Sequence, residues 1–113
     1  MSRATPELLK GTLDLLILKT LESGSLHGYG IARALEEKTG KALQIEEGSL
    51  YPALYRMTNR GLIDFEWGLS ANNRKKKSYR LTTKGERRLR EKQMQWAEFT
   101  AAVSLVLEEG TAS

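Results

Sequence analysis

The chain contains no cysteine and only one histidine, His27, among its 113 residues. Without cysteine there are no disulfides and no thiolate metal sites. That composition suits a reducing compartment, so a cytoplasmic location is expected. A metal site needs several convergent ligands, and one histidine cannot supply them. No catalytic triad can be assembled either, because His27 stands in a turn beside Gly28 and reads as a helix-end residue. Gly28-Tyr29-Gly30 is too short for a dinucleotide-binding fingerprint, and no other phosphate-binding glycine loop is present. An enzyme therefore has no support, and no cofactor is expected. No apolar run approaches the roughly 20 residues of a membrane span, so no membrane partner is expected. The opening Met1-Ser2-Arg3-Ala4-Thr5-Pro6 lacks the apolar stretch of a signal peptide. Internal repeats and low-complexity segments are also missing.

Hydrophobic residues make up 40% of the chain, a globular rather than a disordered composition. A chain of this length buries roughly 65% of its unfolded surface, enough for one modest core. The net charge of +4 is a weak signal, but its distribution is not. Ten of the 18 basic residues lie between Arg74 and Lys92, against only Glu86 and Glu91. A field concentrated in this way attracts a polyanion.

The stretch from Glu46 to Gly61 organises the rest. Leu50, Leu54 and Met57 recur at helical spacing and make one apolar stripe. Ser49 is expected to cap the helix, with Pro52 in its first turn, where a missing N–H costs little. Gly61 provides the left-handed residue that ends it. The other side presents Tyr51, Pro52, Tyr55, Arg56 and Asn59, flat or hydrogen-bonding groups that a core does not need.

Before it, residues 7–22 read as a helix. Leu13, Leu15, Leu16, Ile17, Leu18 and Leu21 are too many for one stripe, so cover from a second subunit is expected. Gly28 to Thr39 reads as a second helix, with Ile31, Ala32 and Leu35 inward and Gly40 as its stop. Leu43 and Ile45 flank Gln44 in a very short candidate strand. After the central helix, Ile63, Phe65, Trp67 and Leu69 alternate with Asp64, Glu66 and Gly68 at period two. A return strand is expected at Ser78 to Thr82, with the polar connection from Ser70 to Lys77 between them. Thr83 and Glu86 then form an expected capping box for a long last helix from Glu86 to Glu109. At 1.5 Å per residue such a helix spans on the order of 35 Å. Leu89, Trp96 and Val103 occupy heptad position a, and Lys92, Phe99 and Val106 position d.

Three helices, a basic-tipped hairpin and a final helix make the expected fold mainly α with a small β-hairpin, a winged helix-turn-helix followed by a long C-terminal dimerisation helix. Residues 1–82 form the expected DNA-binding domain and residues 83–113 the dimerisation helix. In this architecture the third helix enters the major groove. Arginine suits guanine and asparagine suits adenine, so Arg56 and Asn59, with Tyr55, are candidate base readers. Cations on the hairpin contact phosphate, which positions without specifying. The expected DNA-binding set is Ser49, Tyr51, Pro52, Tyr55, Arg56 and Asn59 on the helix, with Asn73, Arg74, Lys75, Lys76 and Lys77 on the wing. Leu13, Leu16, Ile17, Leu89, Trp96, Phe99, Val103 and Val106 form the expected dimer seam. Blander readings exist for several of these. A run of cations is ordinarily a solvated loop. Tyr29 reads as a core or domain-edge aromatic, Trp67 as wing packing, and Trp96 as part of a seam.

Five stretches in order resemble the PadR-like family of bacterial transcriptional regulators: Leu13-Asp14-Leu15-Leu16-Ile17-Leu18, His27-Gly28-Tyr29-Gly30-Ile31, Gly48-Ser49-Leu50-Tyr51-Pro52-Ala53-Leu54, Arg60-Gly61-Leu62-Ile63 and Tyr79-Arg80-Leu81-Thr82-Thr83-Lys84-Gly85. They cover the chain from about residue 8 to 90. The resemblance implies a dimeric winged-helix repressor of double-stranded DNA with a pseudo-palindromic operator. The short remainder after Gly85 resembles the subfamily with a single C-terminal helix. Members of the family respond to small aromatic or amphipathic compounds, and an aromatic-lined pore at the dimer centre is one proposed effector site. Trp96 lies at the matching distance after Gly85, which makes it the candidate effector residue. Asn72 and Asn73 stand in the wing where members often carry acidic residues or glycine. The rival readings are a winged-helix protein-interaction module without DNA binding and a non-specific architectural DNA binder.

Overall fold

The computed structural model describes residues 11–108. The first helix, α1, runs from Leu13 to Leu21, and the part expected before residue 11 lies outside the described residues. α1 is the hub of the fold and touches every later helix. Its Leu13, Ile17, Leu18 and Leu21 are buried, and Leu15 and Leu16 pack at the edge of the same cluster. The chain's own later elements therefore supply most of the cover that was expected from a second subunit. Leu13 and Ile17 are buried in the chain's own core and leave no side chain free for a seam.

A two-residue strand, β1 at Leu26–His27, leads into α2 at Gly28–Lys38. β1 has no periodicity to betray it and exists because it pairs antiparallel with a distant strand, Leu26 opposite Tyr79 and His27 opposite Ser78. The strand expected around Leu43 and Ile45 is absent. That segment has no pairing partner; Leu43 N–H instead donates to the Thr39 hydroxyl, and Ile45 tucks against the core.

α3 spans Glu47–Asn59 and buries Leu50, Ala53, Leu54 and Met57. Glu46 is its cap position and no side chain caps it, so Ser49 sits inside the first turn rather than at the boundary. Pro52 is correspondingly interior, not in the first turn. The missing N–H leaves the Gly48 carbonyl without its helical donor, and Gly48 is exposed, so water can take that place. Gly61 adopts φ +74 and ends α3 as expected. Its N–H donates to the Thr58 carbonyl and that of Leu62 to the Met57 carbonyl, the pair of bonds that closes a Schellman turn.

β2 at Ile63–Leu69 and β3 at Lys75–Leu81 form the hairpin, giving a three-stranded sheet in the order β1-β3-β2. The return strand begins at Lys75, earlier than expected. Lys75, Lys76 and Lys77 are therefore strand residues paired with Leu69, Gly68 and Trp67. Only residues 70–74 turn, with Asn73 at φ +60, a conformation that asparagine tolerates better than most residues.

α4 runs from Thr83 to Leu107. Its cap is Thr82, not Thr83: the Thr82 hydroxyl accepts from the Gly85 N–H at 3.0 Å. With the cap one residue earlier, Gly85 takes the position that Glu86 was expected to fill in a capping box. The same Thr82 hydroxyl approaches the Gly61 carbonyl at 2.6 Å and the Lys84 ammonium donates to the Arg60 carbonyl at 2.8 Å. The end of α3 and the start of α4 are thus tied together. Gly85 and Leu89 complete the core, so Leu89 too is closed within the protomer. Beyond Leu89 the helix leaves the core, and the molecule reaches 62 Å in its longest dimension.

Candidate nucleic-acid interface

The exposed side of α3 follows directly from its buried side. With the inward stripe at Leu50, Ala53, Leu54 and Met57, a 100° turn per residue centres the outward face on Gly48, Pro52, Tyr55 and Asn59. Tyr55 is 70% exposed. Among the described residues neither the Tyr55 nor the Asn59 side chain has a hydrogen-bond partner. Both are left as free donors and acceptors on a surface shaped by a rigid helix.

Arg56 lies at one flank of this face. Its Nη2 donates to Asp14 Oδ1 of α1 at 2.9 Å. The spacing along α3 could not reveal this partner, which is 42 positions away. A partly exposed ion pair of this kind is worth only about 0–1 kcal/mol, so a phosphate or a base edge can compete for the guanidinium. Tyr51 lies at the other flank, turned toward the sheet. A Cβ on Gly28 would stand 2.8 Å from the Tyr51 ring, so the absence of a side chain at Gly28 is what lets α2 and α3 close around it.

The hairpin stands beside α3. Alternation along its strands puts Phe65, Trp67 and Leu69 of β2 on one face with Tyr79, Lys77 and Lys75 of β3. Lys76 belongs to the opposite face, together with Asp64, Glu66 and Arg80. There Arg80 Nε donates to Asp64 at 2.6 Å, and this hydrogen bond raises the Arg80 pKa above its ordinary value. Lys77 holds its ammonium 4.3 Å from the Phe65 ring centre and 5.4 Å from that of Trp67. Tyr51, Tyr55, Asn59, Phe65, Lys77 and Tyr79 together line the groove between α3 and the wing. Tyr79 is buried, and that burial raises its pKa, with Tyr51 adding to the effect; its hydroxyl stays protonated.

Of the two places expected for Tyr29, core or domain edge, the structure gives it the edge. It is 59% exposed at the start of α2, and Arg33 donates to its hydroxyl at 3.3 Å. Trp67 packs on the wing as expected, edge-on to Phe65 and beneath the Lys77 ammonium, and still leaves 61% of its surface exposed. Arg33 was missed altogether, although its spacing from Tyr29 and Glu37, four residues each way, is the signal that would have found it. His27 has the helix-end role expected of it, at the cap position of α2, and is also a residue of β1. A carbonyl can only accept, so His27 Nδ1–H donates to the Lys77 carbonyl at 3.1 Å and fastens β1 to β3.

On α4 the side chains of Trp96, Phe99, Val103 and Val106 are all exposed. They fall on one side of the helix, and the Trp96 and Phe99 rings lie 6.4 Å apart. Of the expected seam residues, these four are the exposed ones.

A helical core whose third helix lies beside a basic hairpin is the winged helix-turn-helix of DNA-binding transcriptional regulators, a class without enzymatic machinery. Residues 17–91 match the transcriptional regulator PadR-like family, and the chain belongs to that family. It is 32% identical over 77 residues to the negative transcriptional regulator PadR of Bacillus subtilis, a match covering 68% of this chain and 42% of that protein. A crystal structure of a PadR-like transcriptional regulator from Bacillus cereus matches with a TM-score of 0.77 at 30% identity, over 90% of this chain and 97% of that one. The structure of Bacillus subtilis PadR in complex with operator DNA matches with a TM-score of 0.65 at 31% identity, over 71% of this chain and 45% of that one. The chain thus spans less than half the length of the Bacillus subtilis protein. No described helix is long and apolar enough to cross a membrane.

Proposed function

We propose that this chain is a homodimeric, sequence-specific repressor acting in the cytoplasm on a pseudo-palindromic operator. One observation carries the reading: the outward face of α3 and the cationic face of the wing form one continuous surface, while the apolar stripe of α4 projects elsewhere. The first suits a duplex and the second suits a second copy. α3 presents Ser49, Tyr51, Pro52, Tyr55, Arg56 and Asn59, and Asn59 and Tyr55 stand at its centre as base readers. Arg56 joins them by leaving Asp14. Asn73, Arg74, Lys75, Lys76 and Lys77 hold phosphate. Leu16, at the edge of α1, and Trp96, Phe99, Val103 and Val106 of α4 make the dimer. The structure of the related Bacillus subtilis PadR in complex with operator DNA supports a DNA-binding role for this chain.

Selection of bound duplexes from a random pool tests the reading. An enriched inverted repeat is expected, with half-sites about 10 bp apart or a multiple of that. Enrichment of no sequence would leave only a non-specific binder. On the selected site, Asn59→Ala should cost roughly 1–3 kcal/mol and blur the base preference at one position of each half-site. Replacing Lys75 and Lys76 with alanine should instead weaken binding to every sequence. It should also flatten the plot of log K against log salt by about 0.9 for each phosphate that is no longer neutralised. A parental salt slope in that variant would take the wing off the phosphates.

A small planar aromatic effector fits the same proposal. Where two α4 helices cross through their stripes, two Trp96 rings come near each other and leave flat apolar faces for a ligand to stack on. Such a ligand shifts operator affinity only by its differential affinity for two spacings of the recognition helices. Planar cationic dyes should bind the parent and lose affinity for Trp96→Ala; equal binding to both would take Trp96 out of the site.

A further inference from the structure

We infer that the groove between the start of α2 and β3 seats one segment of DNA sugar-phosphate backbone, with the Trp67 ring against deoxyribose and Lys75 and Lys77 on the phosphate. The inference rests on the DNA-binding reading proposed above and deepens its wing contact by naming the groove that receives the strand and the Trp67 ring that lies against it.

The groove encloses about 340 Å³. Rings of Tyr29, Tyr51 and Trp67 and the cations of the β3 lysines line it, and no carboxylate does. The wing is two-sided in charge. Its outer face neutralises Arg80 with Asp64 at 2.6 Å and Glu66 at 3.8 Å. Its inner face keeps Lys75 and Lys77 without any acidic partner among the described residues. Lys77 rests against the Phe65 and Trp67 rings, which leave its charge without a counter-ion. Cations so placed select an anion, while flat apolar rings select a ligand with apolar faces. A sugar-phosphate chain alternates the two.

Trp67 is built for contact rather than for packing. It stands edge-on to Phe65, with ring centres 5.9 Å apart and planes at 86°, so its orientation is set before anything binds. The ring itself remains 61% exposed, and Leu69 beyond it 65%. Tyr29 and Tyr51 are also exposed on this groove, and exposed apolar groups gathered in one patch mark a binding surface. The groove also continues into the one beside α3, because Tyr51, Lys77 and Tyr79 line both. A duplex whose major groove receives Tyr55 and Asn59 therefore has its flanking strand led across Lys77 toward Trp67.

The full chain carrying Trp96→Phe leaves Trp67 as the sole tryptophan. Titration with a fluorescein-labelled duplex reads binding by anisotropy, while acrylamide quenching reads the accessibility of Trp67 in the same sample. The quenching constant should fall about threefold on saturation, as expected for a ring covered by a nucleotide. Saturable anisotropy with unchanged quenching overturns the inference and leaves the face to another partner. No anisotropy change in this background or in the parent overturns the DNA-binding reading itself, and the inference with it. In the parent background Trp67→Ala should weaken operator and random duplexes alike by about fivefold with an unaltered salt slope, since the substitution removes no charge. Trp67→Phe should restore most of that affinity. Parental affinity in Trp67→Ala would also overturn the contact.

Discussion

A chain ending at Glu91 should sediment as a monomer at micromolar concentration, where the full chain should sediment as a dimer. The core ends at Leu89, so the truncation removes none of the buried cluster and should leave the fold in place. It does remove Trp96, Phe99, Val103 and Val106, which are all exposed in the protomer. Helices of this length with one apolar side gain little from remaining single in water, since each buried CH₂ contributes about 0.8 kcal/mol. In the proposed dimer, loss of the second subunit would turn a bivalent contact into a monovalent one. Operator affinity should then fall on the order of 100- to 10,000-fold, the usual range for avidity. The paired replacement Phe99→Asp with Val106→Asp should do the same in the full-length chain, without shortening it. A full-length monomer at micromolar concentration would remove the dimer from the proposal, together with the Trp96 ligand slot and the palindromic operator.

Gly85→Ala should destabilise the protein by about 3 kcal/mol, against the normal sign for this substitution. In an exposed helix, glycine to alanine stabilises by roughly 0.5–1 kcal/mol. Here the added Cβ would lie 1.9 Å from the Leu62 carbonyl oxygen and 3.1 Å from Leu81 Cδ1. The first obstacle is backbone and cannot rotate away. Relief requires that α4 move off the end of α3, breaking the Thr82 and Lys84 bonds to Gly61 and Arg60. For a domain of this size that corresponds to a fall in Tm of roughly 10–20 °C, read by thermal unfolding with circular dichroism. An unchanged or raised Tm would mean that the α3–α4 junction is loosely packed. The junction matters beyond stability, because it fixes the direction in which the projecting helix leaves the DNA-binding unit.

Much of this architecture is legible because its signals are local. The period of Leu50, Leu54 and Met57 defines α3 and hence its outer face, and the period-two run from Ile63 to Leu69 defines β2. Gly61 marks the stop of α3 through the one conformation that glycine adopts freely. Local signals fail where two neighbours offer the same chemistry. Thr82 and Thr83 are equally good caps by type, and only the approach of Gly61 and Leu62 selects Thr82. Ser49 is a good cap residue standing one turn too late, since Glu46 already has the extended backbone of the boundary. The surplus leucines of α1 mislead because a sequence does not say how many elements will surround a helix. Four do, so Leu13 and Ile17 are covered from within.

The order of elements, the concentration of cations on one hairpin and the apolar stripe of the last helix all follow from which residues succeed one another along the chain. Tertiary structure alone decided what meets across distance. It paired β1 with β3, drew Arg56 to Asp14, exposed Tyr29 and Trp67 on one groove, and pressed Gly85 against the Leu62 carbonyl. Periodicity reports which side of an element avoids water; only packing settles which other element, and which atom of it, lies on that side.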